Sequence, residues 1–227
     1  MTFQRARTDE QRSQRRRQIL DTAAVMLTEM PVAELTLNAL SRRVCLAKAN
    51  VLRYFESREA VLLELLEAEV ADWIAELERE TDTVEGTAEE RGDRLAALLA
   101  DSMARRPVLC DLLSSQATVL EHNISTEVAI RHKHTARKSL QNLVALTARH
   151  LPELGDEDAA ALVESTLLTA IAAWPCSRPP QPLLAAYASD PALAAMRINF
   201  TDAVRRTTEV TASGLLARRQ PTSEALT

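Results

Sequence analysis

Apolar residues recur at helical spacing from end to end of this 227-residue chain, and no segment alternates with the two-residue period of a strand. The pattern predicts an all-α fold. Composition agrees, since aromatics make up 3% of residues while Ala and Leu recur throughout. The four glycines, at 86, 92, 155 and 214, form no G-x-G-x-x-G or P-loop spacing, so the backbone that cradles nucleotide phosphates is missing. G-x-S-x-G, H-E-x-x-H and C-x-x-C are absent too. No cofactor and no metal site are expected. Cys45, Cys110 and Cys176 are odd in number and widely spaced, and read as reduced thiols of a cytoplasmic protein. The basic first twenty residues lack the apolar core of a secretory signal. The longest nearly apolar run, 166–174, is too short to span a bilayer, so no membrane partner is expected.

Helix signals divide the chain. A capping box, Thr8-Asp9-Glu10-Gln11, opens a first helix whose Ile19, Leu20, Ala23, Met26, Leu27 and Met30 keep one face until Pro31 stops it. Thr36 caps a second helix, about 37–44, with Leu35 and Leu40 as a hydrophobic staple and Leu37, Leu40, Ser41 and Val44 inward. After a break at Cys45-Leu46, a third helix from 47 to about 54 turns Val51 and Phe55 inward, supported by Leu46 and Leu52. Ser57 caps a long fourth helix, with Glu59 in its first turn. Residues 81–87 read as a linker. Beyond it the pattern predicts helices leading to Pro107, over 108–120, over Thr126–His150 and over 156–174. A loop follows around Pro175, Pro179, Pro180 and Pro182, then a last helix over 190–217 and a disordered tail at 220–227.

Charge is uneven. The whole chain carries −5, yet residues 1–58 hold eleven Lys/Arg against six Asp/Glu, a surplus of five cations that leaves −10 on the remainder. One part suits a polyanion and the other does not, unless the cations only solvate a helix.

Two short helices joined by a tight turn, on a longer first helix and beside clustered cations, describe a helix-turn-helix DNA reader. The stretch from Arg16-Arg17-Gln18-Ile19-Leu20 through Leu40-Ser41-Arg42-Arg43-Val44-Cys45-Leu46-Ala47-Lys48-Ala49-Asn50 resembles the DNA-binding domain of the TetR family of bacterial transcriptional repressors. The step Phe55-Glu56-Ser57-Arg58-Glu59-Ala60-Val61-Leu62 matches the family's entry into its fourth helix. Four positions depart from the family pattern, one of them Pro31, which stands near a position that is often Gly. Cys45 stands at the turn glycine, at a cost on the order of 1 kcal/mol if that position needs positive φ. Ala47 replaces the usual Ser cap, and Leu52 replaces a Tyr.

The resemblance implies an N-terminal three-helix helix-turn-helix domain at 11–71, a C-terminal helical ligand-binding and dimerisation bundle at 72–218, and a tail at 219–227. It implies a homodimeric, ligand-responsive repressor that is not an enzyme and that releases a palindromic double-stranded operator when a small effector binds. Lys48, in the first turn of the third helix, is placed for base edges in the major groove, and Asn50 for adenine N6/N7. Ala49 allows close approach or touches a thymine methyl, while Arg53 meets a guanine edge or a phosphate. Tyr54, Thr36 and Arg58 lie where the family contacts the DNA backbone. Arg12, Arg15, Arg16 and Arg17 extend the footprint as phosphate contacts or as a minor-groove arm.

The ligand side is thinner. Cys110, Leu113, Gln116, Leu120, His122, Thr166, Thr169, Trp174 and Cys176 fall on helices that line the pocket in this family. Gln116, His122, Thr166 and Thr169 would orient a mostly apolar effector. The last two long helices would pair with their copies in a four-helix bundle. Leu193, Met196, Phe200, Ala203, Val204, Thr207 and Val210 would form the stripe, unless that stripe is intramolecular core. His132 and His134 are two apart and face different sides of a helix. With Arg131, Lys133, Arg137 and Lys138 beside them they read as a solvated basic face rather than a metal site. The rival readings are a helical-bundle enzyme using Glu164 with His122, and a DNA-binding dimer without ligand control.

Overall fold

The computed structural model describes residues 2–80 and 85–219, and these contain helices and no strand. The predicted linker falls partly at 81–84 and the predicted tail at 220–227, both outside the described residues. Contacts group the chain into two compact units. One gathers the residues up to Val70 with Pro107–Ala136, and the other gathers Ala71–Arg106 with the residues from Arg137 onward.

In the first unit, α1 (Thr2–Glu29) begins six residues ahead of the expected capping box. Nothing between Thr2 and Glu10 is Gly or Pro, so no breaker makes the chain wait for Thr8. Its Ile19, Ala23, Met26 and Leu27 are buried, at the i, i+4, i+7, i+8 spacing of one apolar face. Pro31 ends the helix and a short 3-10 turn follows at Val32–Glu34. α2 (Leu37–Arg43) starts on Thr36, whose Oγ1 accepts from the amide of Ala39 at 3.1 Å. α3 (Lys48–Val51) is one turn long, shorter than expected, and residues 52–54 continue as turns. Leu52 is 41% exposed rather than inward. α4 (Arg58–Glu80) opens with the Ser57 hydroxyl accepting from the amide of Ala60. α6 (Pro107–Ser115) packs on α1 and on the 3-10 turn. It ends in a π turn at Gln116–Leu120. The first part of α7 (Thr126–His150) completes the unit.

The second unit is built on α5 (Ala88–Ala104), α8 (Gly155–Cys176) and α11 (Phe200–Arg219), with α11 packed on both of the others. α5 carries a full capping box. The Thr87 hydroxyl accepts from the Glu90 amide, and the Glu90 carboxylate accepts from the Thr87 amide. Gly92 faces α11, where a Cβ would make an ordinary contact at 3.6 Å from the methyl of Ala212. Between α8 and α11 the hydroxyls of Thr166 and Thr208 share a buried hydrogen bond at 3.0 Å. Arg91, nearly buried, donates to the carbonyls of His150 and Gly86 and pairs with Glu153, whose carboxyl it holds below the ordinary carboxylate range.

Two expectations fail in the second unit. Pro175 lies inside the last turn of α8, and the proline-rich stretch forms α9 (Gln181–Ser189), with Pro180 capping it and Pro182 in its first turn. Proline suits a helix start because the first amides have no intrahelical acceptor to lose. The single last helix is two, α10 (Pro191–Ala194) and α11, because Asn199 caps α11 by accepting from the Asp202 amide at 3.0 Å. The expected stripe breaks with it: Met196 is 68% and Val210 65% exposed, while Phe200, Val204, Thr208 and Ala212 are buried. Finally, α8 as a whole is long and apolar enough to cross a membrane by length and composition. Its Ala159, Leu162, Thr166 and Ala170 are buried within the unit that it builds with α11.

Candidate nucleic-acid interface

The turn between α2 and α3 closes as a Schellman motif. The Leu46 amide donates to the Ser41 carbonyl at 2.9 Å and the Cys45 amide to that of Arg42 at 3.1 Å. This geometry puts Cys45 at φ 58, in the left-handed region that glycine tolerates best. Ala47 then starts α3 without a side-chain cap.

So short a helix cannot hold itself. Val51 and Phe55 anchor it from below, 0% and 4% exposed. Arg16 of α1 holds its far end: the guanidinium donates to the Tyr54 carbonyl, pairs with Glu64 of α4, and lies 4.2 Å over the Phe55 ring. Arg58 braces the other side, donating to the Val32 carbonyl at 2.8 Å. The Val32 amide in turn donates to Asp111 of α6 at 2.7 Å.

Held this way, Lys48, Ala49 and Asn50 are exposed together on α3, with Arg53 exposed just past its end and Tyr54 half-buried. Thr36 is exposed with its oxygen engaged in the cap. Arg15 is exposed on α1 and donates to Gln18 at 2.6 Å. Arg16 and Arg58, expected at the DNA backbone, donate to groups inside the unit. A signal for the Arg16 role was absent from its own neighbourhood, because its partners lie 38 and 48 residues away.

A groove of about 1350 Å³ runs along this face between α1 and the α2–α3 segment. Arg12, Arg15, Arg17, Arg43, Arg53 and Tyr54 contribute to its walls. Arg43 is the member that sequence reasoning missed. It is hydrogen-bonded twice to Glu29, at 2.5 and 3.0 Å, and this holds the Glu29 carboxyl below its ordinary range.

The residues expected to meet a ligand divide between the units. Cys110 and Leu120 are buried, Leu113 and Gln116 half-buried and His122 exposed, all in the first unit. Thr166, Thr169 and Trp174 are in the second. Thr166 and Thr169 donate their hydroxyl protons to the carbonyls of Leu162 and Ser165. Cys176 and Glu164 are exposed on α8.

His132 overturns the reading of a solvated basic face. It is 3% exposed, with Nδ1 2.9 Å from Glu67 and Nε2 3.2 Å from the Gln116 amide nitrogen, while His134 is exposed. The Gln116 amide donates on to Glu121, which also accepts from Lys133, both at 2.7 Å. Burial pushes the Glu121 carboxyl up, but these hydrogen bonds outweigh it and hold it low. Val128 and His132, one turn apart, both fall on the buried face of α7. No group of three His, Cys, Asp or Glu among the described residues is placed to hold a metal.

These features form a helix-turn-helix with an exposed basic face, and comparison places the chain further. A family model described as the tetracyclin repressor-like C-terminal domain matches residues 67–219, about two thirds of the chain. The chain belongs to the TetR family of transcriptional regulators. Among solved structures it is similar to the fatty acid degradation regulator FadR from Bacillus halodurans (TM-score 0.53, 14% identity, covering 87% of this chain and 97% of that one). It is also similar to a TetR transcriptional regulator from Rhodococcus sp. RHA1 (0.53, 17%, 91% and 98%). A third is FadR from Bacillus subtilis in complex with stearoyl-CoA (0.50, 13%, 87% and 97%). At these identities the likeness is one of fold. No curated protein matches the chain.

Proposed function

We propose that the protein is a cytoplasmic, homodimeric repressor that reads a palindromic operator and releases it when a small, mostly apolar effector binds. The observation that carries this reading is the joint exposure of Lys48, Ala49 and Asn50 on a one-turn helix braced from three sides. Lys48 and Asn50 read base edges, Ala49 permits close approach, and Arg12, Arg15, Arg17, Arg53, Tyr54 and Thr36 hold phosphates. Arg16 and Arg58 act as positioning residues. Arg43 joins the phosphate set once DNA competes with Glu29 for its guanidinium.

Two-fold pairing supports the dimer, because it lets two copies of α3 reach successive major grooves about 34–36 Å apart. Leu168 and Val210, 59% and 65% exposed on α8 and α11, are the apolar side chains it would cover. The stearoyl-CoA held by the Bacillus subtilis relative makes a long acyl thioester the first effector to try.

The test is a titration of full-length protein on duplexes selected from genomic fragments, repeated across salt. Sequence-dependent binding with a log–log slope of about −0.9 per phosphate contacted is expected. Lys48→Ala and Asn50→Ala should each cost roughly 1–3 kcal/mol on the selected site only, and Arg53→Ala should lower the slope by about one. Binding indifferent to sequence and to all three variants would sink the reading.

A further inference from the structure

The end of α8, the end of α5 and the segment leading into α11 line an open cleft of about 580 Å³ within the second unit. Its polar lining comes from Ser177, Arg178, Arg197, Asn199 and Thr201, and no carboxylate takes part. Neither arginine has a carboxylate partner among the described residues. Asp202, the acid closest in sequence to the cleft residues of α11, is engaged by Arg205 at 2.8 Å.

Arg178 is held in place without losing its charge. Its guanidinium lies 4.1 Å over the Trp174 ring, and Phe200 packs edge-on against that ring at 5.1 Å. The 20-residue α11 starts in the cleft wall, where the amides of Phe200 and Thr201 have no intrahelical acceptor and the helix dipole favours an anion. Trp174 supplies an independent sign. Its indole N–H is buried and finds no acceptor among the described residues, and a buried donor left unpaired is costly.

We propose that this cleft binds a small phosphorylated ligand, its phosphate oxygens bridging Arg178 and Arg197 at the start of α11. Two guanidiniums with no acid beside them match the charge of about −1.5 to −2 on a phosphate monoester, whereas one carboxylate would leave a cation unmatched.

Isothermal titration of the full-length protein at low salt tests this with inorganic phosphate, pyrophosphate and acetate, and Trp fluorescence provides a second readout beside the cleft. Phosphate and pyrophosphate should bind at one site per chain, and acetate should bind roughly tenfold more weakly or not at all. Arg178→Gln and Arg197→Gln should each weaken phosphate binding by roughly tenfold, with thermal unfolding unchanged because both side chains are exposed. Arg178→Lys should fall between, since it keeps the charge but loses the stacked plane. Absence of saturable binding at millimolar phosphate, equal affinity for acetate, or wild-type affinity in both Gln variants would each overturn the proposal. Should Arg178→Gln perturb folding, Arg197→Gln decides alone.

Discussion

α3 and α5 stand at opposite ends of how a helix is specified. α5 has 17 residues, a reciprocal capping box and a buried face of its own. α3 has four residues, no side-chain cap, and a left-handed cysteine two residues before its N-cap. The first is written in its local sequence. The second is imposed by Phe55 beneath it, by Arg16 from α1 and by Arg58 at the start of α4. The segment that presents Lys48 and Asn50 is thus the one least able to form alone, and its geometry is borrowed from helices distant in sequence.

That contrast can be broken at Phe55. Phe55→Ala removes both a buried ring and the platform for Arg16, and should cost about 3–5 kcal/mol in urea unfolding. Next comes Arg16→Gln, which loses charge-assisted bonds worth about 1.5–3 kcal/mol at the upper end, reduced because the side chain is 29% exposed. Its DNA affinity should drop further than its stability predicts, since Tyr54 and α3 lose their brace. Local repairs should then separate the two helices. Cys45→Gly should raise stability by about 1 kcal/mol by relieving the left-handed strain, whereas Thr87→Ala at the α5 cap should lower it by about as much. Thermal melts of both variants measure this, and equal signs would contradict the contrast.

The smallest effect concerns acid. Hydrogen bonds from Arg105 and Arg106 hold the Glu76 carboxyl below its ordinary 4.5, and the Arg91 bond does the same for Glu153. A depressed folded value means that this stabilisation is present above about pH 4.5 and is lost as pH falls through the lowered values. Stability should therefore be flat above about pH 5.5 and decline below 4.5, and Glu76→Gln should shallow that decline.

What could be read from the chain alone follows the same division. The bounds of α7 and the Thr36 and Ser57 caps were legible because each depends on residues within one helical turn. The split between α10 and α11 was missed, although Asn199 and Asp202 carried its signal, because Leu193, Met196 and Phe200 keep helical spacing across it. α9 was missed because four prolines outweighed two of them standing where helices start. At the site, the exposed α3 residues followed from helix position. The inward duties of Arg16 and Arg58, and the burial of His132 against Glu67, depend on partners far along the chain. No local pattern contains them.

The membership of Pro107–Ala136 in the first unit bears on how such regulators can be recombined. Asp111 of that segment receives the Val32 amide, and the Ser125 amide donates to Glu56 beside the recognition segment at 2.6 Å. A chimaera spliced at residue 71 would carry the reading head without these partners, leaving α1 uncovered where α6 packs. The portable module is therefore discontinuous: a graft that keeps α3 braced has to bring two stretches of chain.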